Sequence, residues 1–373
     1  YTGTDTKLGS HIEIGDECYT SPSMQLGGYD VQPIWSRRQA ACAIAPWPWA
    51  AFPYPVKNAP AIATDGQNLL MAWTLGMREP FSGIEQYGSI QLISNASNGG
   101  LNFSQPISLR VSGDRNPQYS IDQPALCVGL YMNLTFIAWT AGNDPKRRIN
   151  VMYSGAPMLN LWGNRTTFED DRSNSAPALT AAPLLSTNAT FGAIFLAYTD
   201  QNQKIHIRWS FDGGWYDFNK KELEQWSPDG PGICYADPYL YLAFRATSGD
   251  TIYVCRTADF GQTLEVNTIP NQATDYTPAM AVVGKQLILA WRGTDPYNRI
   301  NAMSTDLTSS DPLGSFGNQV IYGDQANGAL SMVNLPVNGD PFIGKPYIAW
   351  AGTDPGHSLN VMPLPPYIQS CFS

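Results

Sequence analysis

Short apolar runs ending in an aromatic residue recur along the chain. They read LLMAW (69–73), LTFIAW (134–139), AIFLAY (193–198), YLYLAF (239–244), QLILAW (286–291) and PYIAW (346–350). A polar loop follows each, and then a second run in which apolar and polar positions alternate. These partners are SIQLI (89–93), RINVM (148–152), KIHIR (204–208), TIYVC (251–255), RINAM (299–303) and SLNVM (358–362). Alternation with period two is that of a half-buried antiparallel strand, and runs this short predict strands rather than helices. A further strand is expected before each aromatic-ended run, beginning at Pro60, Pro124, Pro177, near Ile233, at Pro278 and near Gly328. Proline at a strand's first residue costs no ladder hydrogen bond, so its recurrence marks where strands begin. Each unit therefore predicts an inner strand A, an aromatic-ended B, its partner C and an outer D.

The aromatics Trp73, Trp139, Tyr198, Phe244, Trp291 and Trp350 are 66, 59, 46, 47 and 59 residues apart. A period near 50 with several short strands per unit predicts an all-β propeller or array. The repeats run from 59 to 363 without a linker, so one domain over 1–373 is expected, with 1–58 and 364–373 as closing segments. Six repeats predict a six-bladed β-propeller, and a seventh blade built from both termini is the alternative. The opening residues YTGTDTKLGSHIEI match AWAGTDPGHSLNVM (349–362), so the N-terminal segment is expected to finish a blade begun by the C-terminus. Such closure removes free sheet edges. A propeller acts through the loops on its faces, so the loops become the place to look.

Composition narrows the partners. The formal net charge is −9 and only 14% of residues are charged, which argues against nucleic acid or an anionic membrane. No apolar run reaches the ~18 residues of a membrane helix, so a soluble chain is expected. Among six cysteines no pair has CxxC spacing, and His11, His206 and His357 are scattered, so neither zinc nor another cofactor is expected. A chain beginning at Tyr1 reads as processed, and an even cysteine count there fits disulfides. Cys371 bridged to Cys18 or Cys42 would lock the ring where it closes, while Cys127 reads equally as a buried thiol. Five Asn-X-Ser/Thr sites, at Asn95, Asn102, Asn133, Asn164 and Asn188, fall on A–B or C–D turns, which share one face. A secreted or cell-surface glycoprotein is the expectation, with glycans crowding that face.

Between strands C and D of the fourth repeat lies Thr257-Ala-Asp259-Phe-Gly261-Gln-Thr263-Leu264, which fits Ser/Thr-X-Asp-X-Gly-X-Thr plus an apolar residue. Ser210-Phe-Asp212-Gly-Gly214-Trp215 is a shortened version, and Ser97-Asn98-Gly-Gly100-Leu-Asn-Phe103 a degraded one. With the LAW(T/R)GTD phrasing, residues 59–363 resemble the bacterial and fungal Asp-box propellers, sialidase-like and lectin-like. In such a box the Asp accepts backbone N–H bonds and the Gly supplies a positive φ. The resemblance implies that the boxes lie opposite the ligand face, so Asp259, Gly261 and Asp212 are expected to be structural.

The B–C loops repeat Gly, Asp and Pro: Gly142-Asn-Asp144-Pro, Gly293-Thr-Asp295-Pro, Gly352-Thr-Asp354-Pro and Gly3-Thr-Asp5. These residues spell a turn, and a backbone-bonding Asp is the plain reading. Arg78, Arg245 and Arg292 follow their strand-B aromatics, while Arg147 and Arg299 precede or open strand C. Carboxylates and guanidinium groups bond adjacent hydroxyls, and an aromatic ring stacks on a sugar's apolar face. Asp144, Arg245, Arg292, Asp295 and Asp354 are therefore the ligand candidates, led by Arg292 and Asp295. The resemblance implies that a sialidase would need three clamping arginines, a Tyr–Glu nucleophile and an Asp acid. The family's Arg-Ile-Pro signature is missing; the nearest strings are Arg148-Ile149-Asn150 and Arg299-Ile300-Asn301. A non-catalytic glycan-binding propeller is the first expectation. A sialidase-like glycoside hydrolase and a surface protein that docks other proteins are the alternatives.

Overall fold

The computed structural model describes residues 10–14, 17–21, 24–26, 29–31, 50–75, 88–95, 103–113, 116–129, 134–155, 162–163, 165–182, 192–211, 218–337 and 340–364. Near the N-terminus β1 (Ser10–Ile14) pairs with β2 (Glu17–Ser21), and β3 (Met24–Leu26) with β4 (Tyr29–Val31), each as an antiparallel pair. After β5 (Ala50–Pro55) the repeats begin. The first sheet is built on β6 (Ala61–Thr64), β7 (Leu69–Thr74) and β8 (Gly88–Ser94), with β9 (Ile107–Ser108) and β10 (Tyr119–Ser120) both pairing β8. Three four-stranded meanders follow. They are β11 (Ala125–Gly129) to β14 (Thr166–Arg172), β15 (Ala178–Ala182) to β18 (Asn219–Trp226), and β19 (Gly232–Ala236) to β22 (Glu265–Ala273). Their B strands are β12 (Leu134–Thr140), β16 (Ala193–Thr199) and β20 (Tyr239–Arg245). Their C strands are β13 (Arg148–Gly155), β17 (Lys204–Ser210) and β21 (Thr251–Thr257).

The last sheet has seven strands. Its order is β23 (Ala279–Val283), β24 (Gln286–Arg292), β25 (Arg299–Asp306), β26 (Gly317–Val337), β27 (Asp340–Gly352), β28 (Ser358–Pro363) and then β5. The long β26 pairs β25 through its first half and β27 through its second. The described residues thus hold five sheets of four or more strands, and no helix occurs among them. Each inner strand touches the next, from β6 through β11, β15, β19 and β23 to the second half of β26, which returns to β6. This is a closed β-propeller. The strand that joins the C-terminal part is β5, whereas the opening hairpin β1–β2 forms its own two-stranded sheet. Residues 1–9 lie outside the described residues, and it is β5, at the end of the N-terminal segment and immediately before the first repeat, that extends the last sheet.

A blade cannot bury both of its faces by itself, so the core lies in the seams. The strand-B aromatics fill them: Trp73, Trp139, Trp291 and Trp350 are 0, 1, 1 and 3% exposed. Trp139 packs with Leu92 and Ile90 of the preceding sheet, Tyr198 with Phe136, and Trp291 with Tyr241 and Val254. Trp73 reaches Tyr347 and Val361, across the point where the ring closes. Near the axis the inner strands approach so closely that side chains must vanish. A Cβ on Gly232 would lie 2.2 Å from the Pro278 carbonyl oxygen, and one on Gly230 1.9 Å from that of Ala176.

One seam adds a charged staple. Asp171 of β14 is enclosed between sheets and accepts bonds from Arg208 of β17 and, at 2.7 Å, from Lys220 of β18. The Arg208 guanidinium also lies 4.4 Å from the Phe168 ring centre. Burial alone would raise the Asp171 pKa, but the bonds from Arg208 and Lys220 outweigh it and hold the group below the ordinary carboxylate value.

Cys127, Cys234 and Cys255 are buried free thiols. The disulfide candidates Cys42 and Cys371 lie outside the described residues; Cys18 falls in β2, where only the backbone is described. Asn102, Asn133, Asn164 and Asn188 also lie outside them. Asn95 does not: it is 1% exposed and its Oδ1 accepts the Leu69 N–H at 2.6 Å. That amide anchors the start of β7 and, enclosed, has no path for a glycan, so Asn95 drops out of the sequon set.

Two outcomes test this packing. Trp291→Ala should lower unfolding free energy by ~3–5 kcal/mol in urea titration, because a large cavity opens at a seam. Asp171→Asn should cost on the order of 3 kcal/mol at neutral pH, leaving two partly exposed cations uncompensated. Because the folded pKa lies below the unfolded one, this contribution is complete above about pH 4 and fades as pH falls further. Stability curves of wild type and Asp171→Asn should therefore converge on acidification.

Candidate functional site

Antiparallel meanders put the B–C loops and the D–A crossovers on one face, and backbone bonds tie the two together there. Four B–C loops share one conformation. Asp144, Asp200, Asp295 and Asp354 each accept on the main-chain oxygen the N–H of the residue three along, at 2.8–3.0 Å. Those residues, Arg147, Gln203, Asn298 and His357, take left-handed backbone with φ of 53, 67, 54 and 48°. Their carbonyls then receive the N–H of Ser173, Ser227, Ala326 and Val56, where the outer strands end.

The loop carboxylates complete the turn. Asp295 accepts the Tyr297 N–H at 2.9 Å, the Arg299 N–H at 3.2 Å and the Arg299 Nε at 3.2 Å. Asp354 accepts the N–H of Gly356 and Ser358 and the Ser358 hydroxyl. Asp144 holds the Lys146 N–H and the Arg148 guanidinium; despite its desolvation those bonds keep its pKa below the ordinary value. The three aspartates named as ligand candidates thus bond within their own loops, and the loops expose residues such as Lys146, Gln203 and Tyr297. His206 is likewise accounted for: it stacks on Tyr198 at 5.1 Å and meets Asp200 through Nε2 at 3.2 Å.

The crossovers carry a second repeated device that the sequence reading passed over. Thr74, Thr140 and Thr199, one residue after the strand-B aromatic, donate to the carbonyls of Asp122, Ser175 and Asp229. Ser120 and Ser173 donate in turn to the carbonyls of Thr140 and Thr199 in the next sheet. The signal was present as a Ser or Thr four residues before Pro124, Pro177, Pro231 and Pro278. In the next two sheets arginine replaces the threonine. Arg245 Nε donates to Asp229 Oδ2 at 2.8 Å, with Asp250 at 3.4 Å from Nη1. Burial raises the Asp229 pKa, and the Asp122 and Asp275 carboxylates add to what Arg245 opposes.

Arg292 builds a richer cluster at the seam between the sheets of β19–β22 and β23–β26. Its guanidinium lies 4.8 Å from the Tyr276 ring centre, 2.7 Å from Asn298 Oδ1 and 3.5 Å from Asp275 Oδ2. Arg292 Nε and Asp275 Oδ1 are buried and have no partner among the described residues. Beside Asn298 stands Tyr297, which at 62% exposed is the most open large apolar residue described, with Arg299 5.8 Å from its ring centre. Donor, acceptor and two rings thus meet at one seam. Arg78 lies outside the described residues.

The axis offers different chemistry. The channel through the ring holds a cavity of about 90 Å³ faced by Ile62, Leu126, Leu179, Ile233, Met280 and Met332. On the opposite face, Asp259 accepts the Thr263 N–H and hydroxyl and the Thr257 hydroxyl, with Gly261 at φ 85°. Those bonds lower its pKa to about 2. Asp259 and Gly261 hold a turn; Asp212 lies outside the described residues.

No protein-family model matches the chain, and no curated protein matches it by sequence. Solved structures match in fold. The Hadza microbial sialidase Hz136 aligns at TM-score 0.60 and 12% identity, over 83% of this chain and 65% of that one. A point mutant of the NanB sialidase from Streptococcus pneumoniae aligns at 0.58 and 10%, over 84% and 70%. A point mutant of Aleuria aurantia lectin, in complex with alpha-methyl-L-fucoside, aligns at 0.52 and 9%, over 80% and 90%. What this chain shares with these sialidases and this lectin is the propeller fold.

The loop geometry has a direct test. Asp295→Ala removes the acceptor for two backbone N–H groups, so hydrogen exchange at Tyr297 and Arg299 should quicken. A global loss of about 1–2 kcal/mol should accompany it, as for a lost helix or turn cap.

Proposed function

We propose that this protein is a glycan-binding propeller that holds sugars without cleaving them, with its primary site at the Arg292 seam. The observation that carries this reading is the joint placement of Arg292, Asp275, Tyr276, Asn298 and exposed Tyr297 on the B–C face. A pyranose presents an apolar C–H face and a rim of hydroxyls, which need a ring to stack on and paired donors and acceptors. The sialidase and lectin neighbours agree with this at the level of fold. Among the described residues, Asp275 is the one carboxylate in the cluster at the Arg292 seam, whereas a hydrolase needs two placed carboxylates at the bond it breaks.

The reading extends to six blades, with β26 serving as the outer strand of the fifth and the inner strand of the sixth. It also takes the protein to be secreted or on a cell surface, with glycans on the A–B and C–D face and Cys371 bridged to Cys18 or Cys42. Non-reducing peptide mapping in which all three thiols are free removes the bridge.

Asp295 supports the loop, so the informative changes are at outward groups. Tyr297→Ala with Asp275→Asn should abolish binding on a glycan array while shifting the melting temperature by only a few degrees. Undiminished binding by that double variant overturns this site, and turnover of fluorogenic glycosides by the wild type overturns the non-catalytic reading.

A further inference from the structure

The blade formed by β15–β18 ends in a residue that the fold does not require. Trp226, the last residue of the outer strand β18, pairs in register with Lys204, the first residue of β17. At the same register position the other sheets carry Arg172 opposite Arg148, Ala273 opposite Thr251 and Gln325 opposite Arg299. A charged, a small and an amide side chain all satisfy the strand there, so packing does not select tryptophan. Nor is it packed, for Trp226 is 48% exposed, whereas Trp73, Trp139, Trp162, Trp291 and Trp350 are at most 3% exposed.

Its described neighbours are polar. The Lys204 ammonium lies 5.7 Å from the Trp226 ring centre and is paired with Glu222. The adjoining B–C loop presents Gln201, Asn202 and Gln203, all exposed, and Gln203 is the left-handed residue of that loop. The Asp200 carboxylate fixes that loop by accepting the N–H groups of Asn202 and Lys204 at 2.8 and 2.9 Å. An ammonium paired with a carboxylate thus lies beside the half-open indole, and the loop with three exposed amides adjoins it, the Gln203 carbonyl accepting the N–H of Ser227, the residue after Trp226. A protein partner calls for a contiguous apolar patch of several hundred Å². Of the other exposed apolar residues described, Ile107, Val266, Tyr297 and Ile321 belong to other sheets or their loops, and Phe211 follows β17 at the end away from Lys204, where it meets the Phe260 ring. A half-exposed indole next to a loop of exposed amides suits a ligand with one small apolar face and hydroxyls at its edge.

We infer that Trp226, with Gln201, Asn202, Gln203 and Lys204, forms a second sugar platform that takes a neutral pyranose. The inference rests on the glycan-binding reading but uses none of the residues of the Arg292 seam. Amides bond hydroxyls as both donor and acceptor, and the Lys204 charge is already matched by Glu222, so the platform has no uncompensated cation for an acidic sugar. Two platforms on one face would let a single chain bridge two sugars of a branched or clustered glycan, raising avidity without new contacts.

The test reads the indole N–H resonance of Trp226, assigned by its disappearance in Trp226→Phe. Methyl pyranosides of glucose, galactose, mannose, fucose and N-acetylglucosamine are titrated into the intact protein. At least one should shift that resonance saturably. Gln203→Ala should weaken the response about tenfold or more, and the Tyr297→Ala, Asp275→Asn variant should leave it unchanged. Trp226→Ala should melt within a few degrees of wild type, since the ring is half exposed and lies at the end of an outer strand. If the sugars perturb the Arg292 seam and leave the Trp226 resonance unmoved, this platform is refuted and the glycan-binding reading stands. If no pyranoside and no arrayed glycan is bound by the wild type, both fall. If the Trp226 shift disappears in the Tyr297, Asp275 variant, the second platform is not independent and the inference is overturned.

Discussion

The packing of one blade's aromatic-ended strand against the sheet before it is the constraint on which the rest of the structure depends. Each four-stranded unit has two apolar faces and no partner within itself, so it becomes stable only between neighbours. Trp139 against Leu92 or Trp291 against Tyr241 is the repeated form of that contact. A row of such units still has two bare ends. The row ends when β26 meets β6 and β5 adds itself to β28, which turns a list of repeats into a closed ring. Closure also sets the axis: the strands crowd there until Gly232 has no space for a side chain, and the channel is lined by the inner strands and their crossovers.

Once the seams are filled, the face of the B–C loops follows. Thr74, Thr140 and Thr199 tie each crossover to the strand beside it, and the loop aspartates fold the backbone under themselves. Side chains that the turns leave free, and the arginines that stand in for the crossover threonine, are what remain for recognition. Where arginine replaces threonine the crossover is held by charge, and the extra reach of Arg292 gathers Asp275, Tyr276 and Asn298 into a polar cluster. An interaction that closes the seam in three sheets becomes, with a longer residue, a candidate site in another. Stability and recognition thus share positions, which is why Asp295 is a poor residue to mutate when recognition is the question.

The sequence by itself determined the strands, their order and the propeller. Alternation and the phase of the aromatics are local properties, and Trp73, Trp139, Trp291 and Trp350 are buried where their period placed them. It also carried both readings of Asp144, Asp295 and Asp354, the turn and the ligand. The structure shows the turn in all three, each carboxylate accepting N–H groups of its own loop, with a left-handed residue three positions later. Arg292 stood out in the sequence, but Asp275 and Tyr276 did not. They belong to the crossover before its strand and reach it only when the blades stack. Trp226 was hidden for the same reason: one tryptophan among 11 shows its exposure only when register sets it against Lys204 at an open edge. Period is written along the chain, whereas proximity between separate loops is created by ring closure.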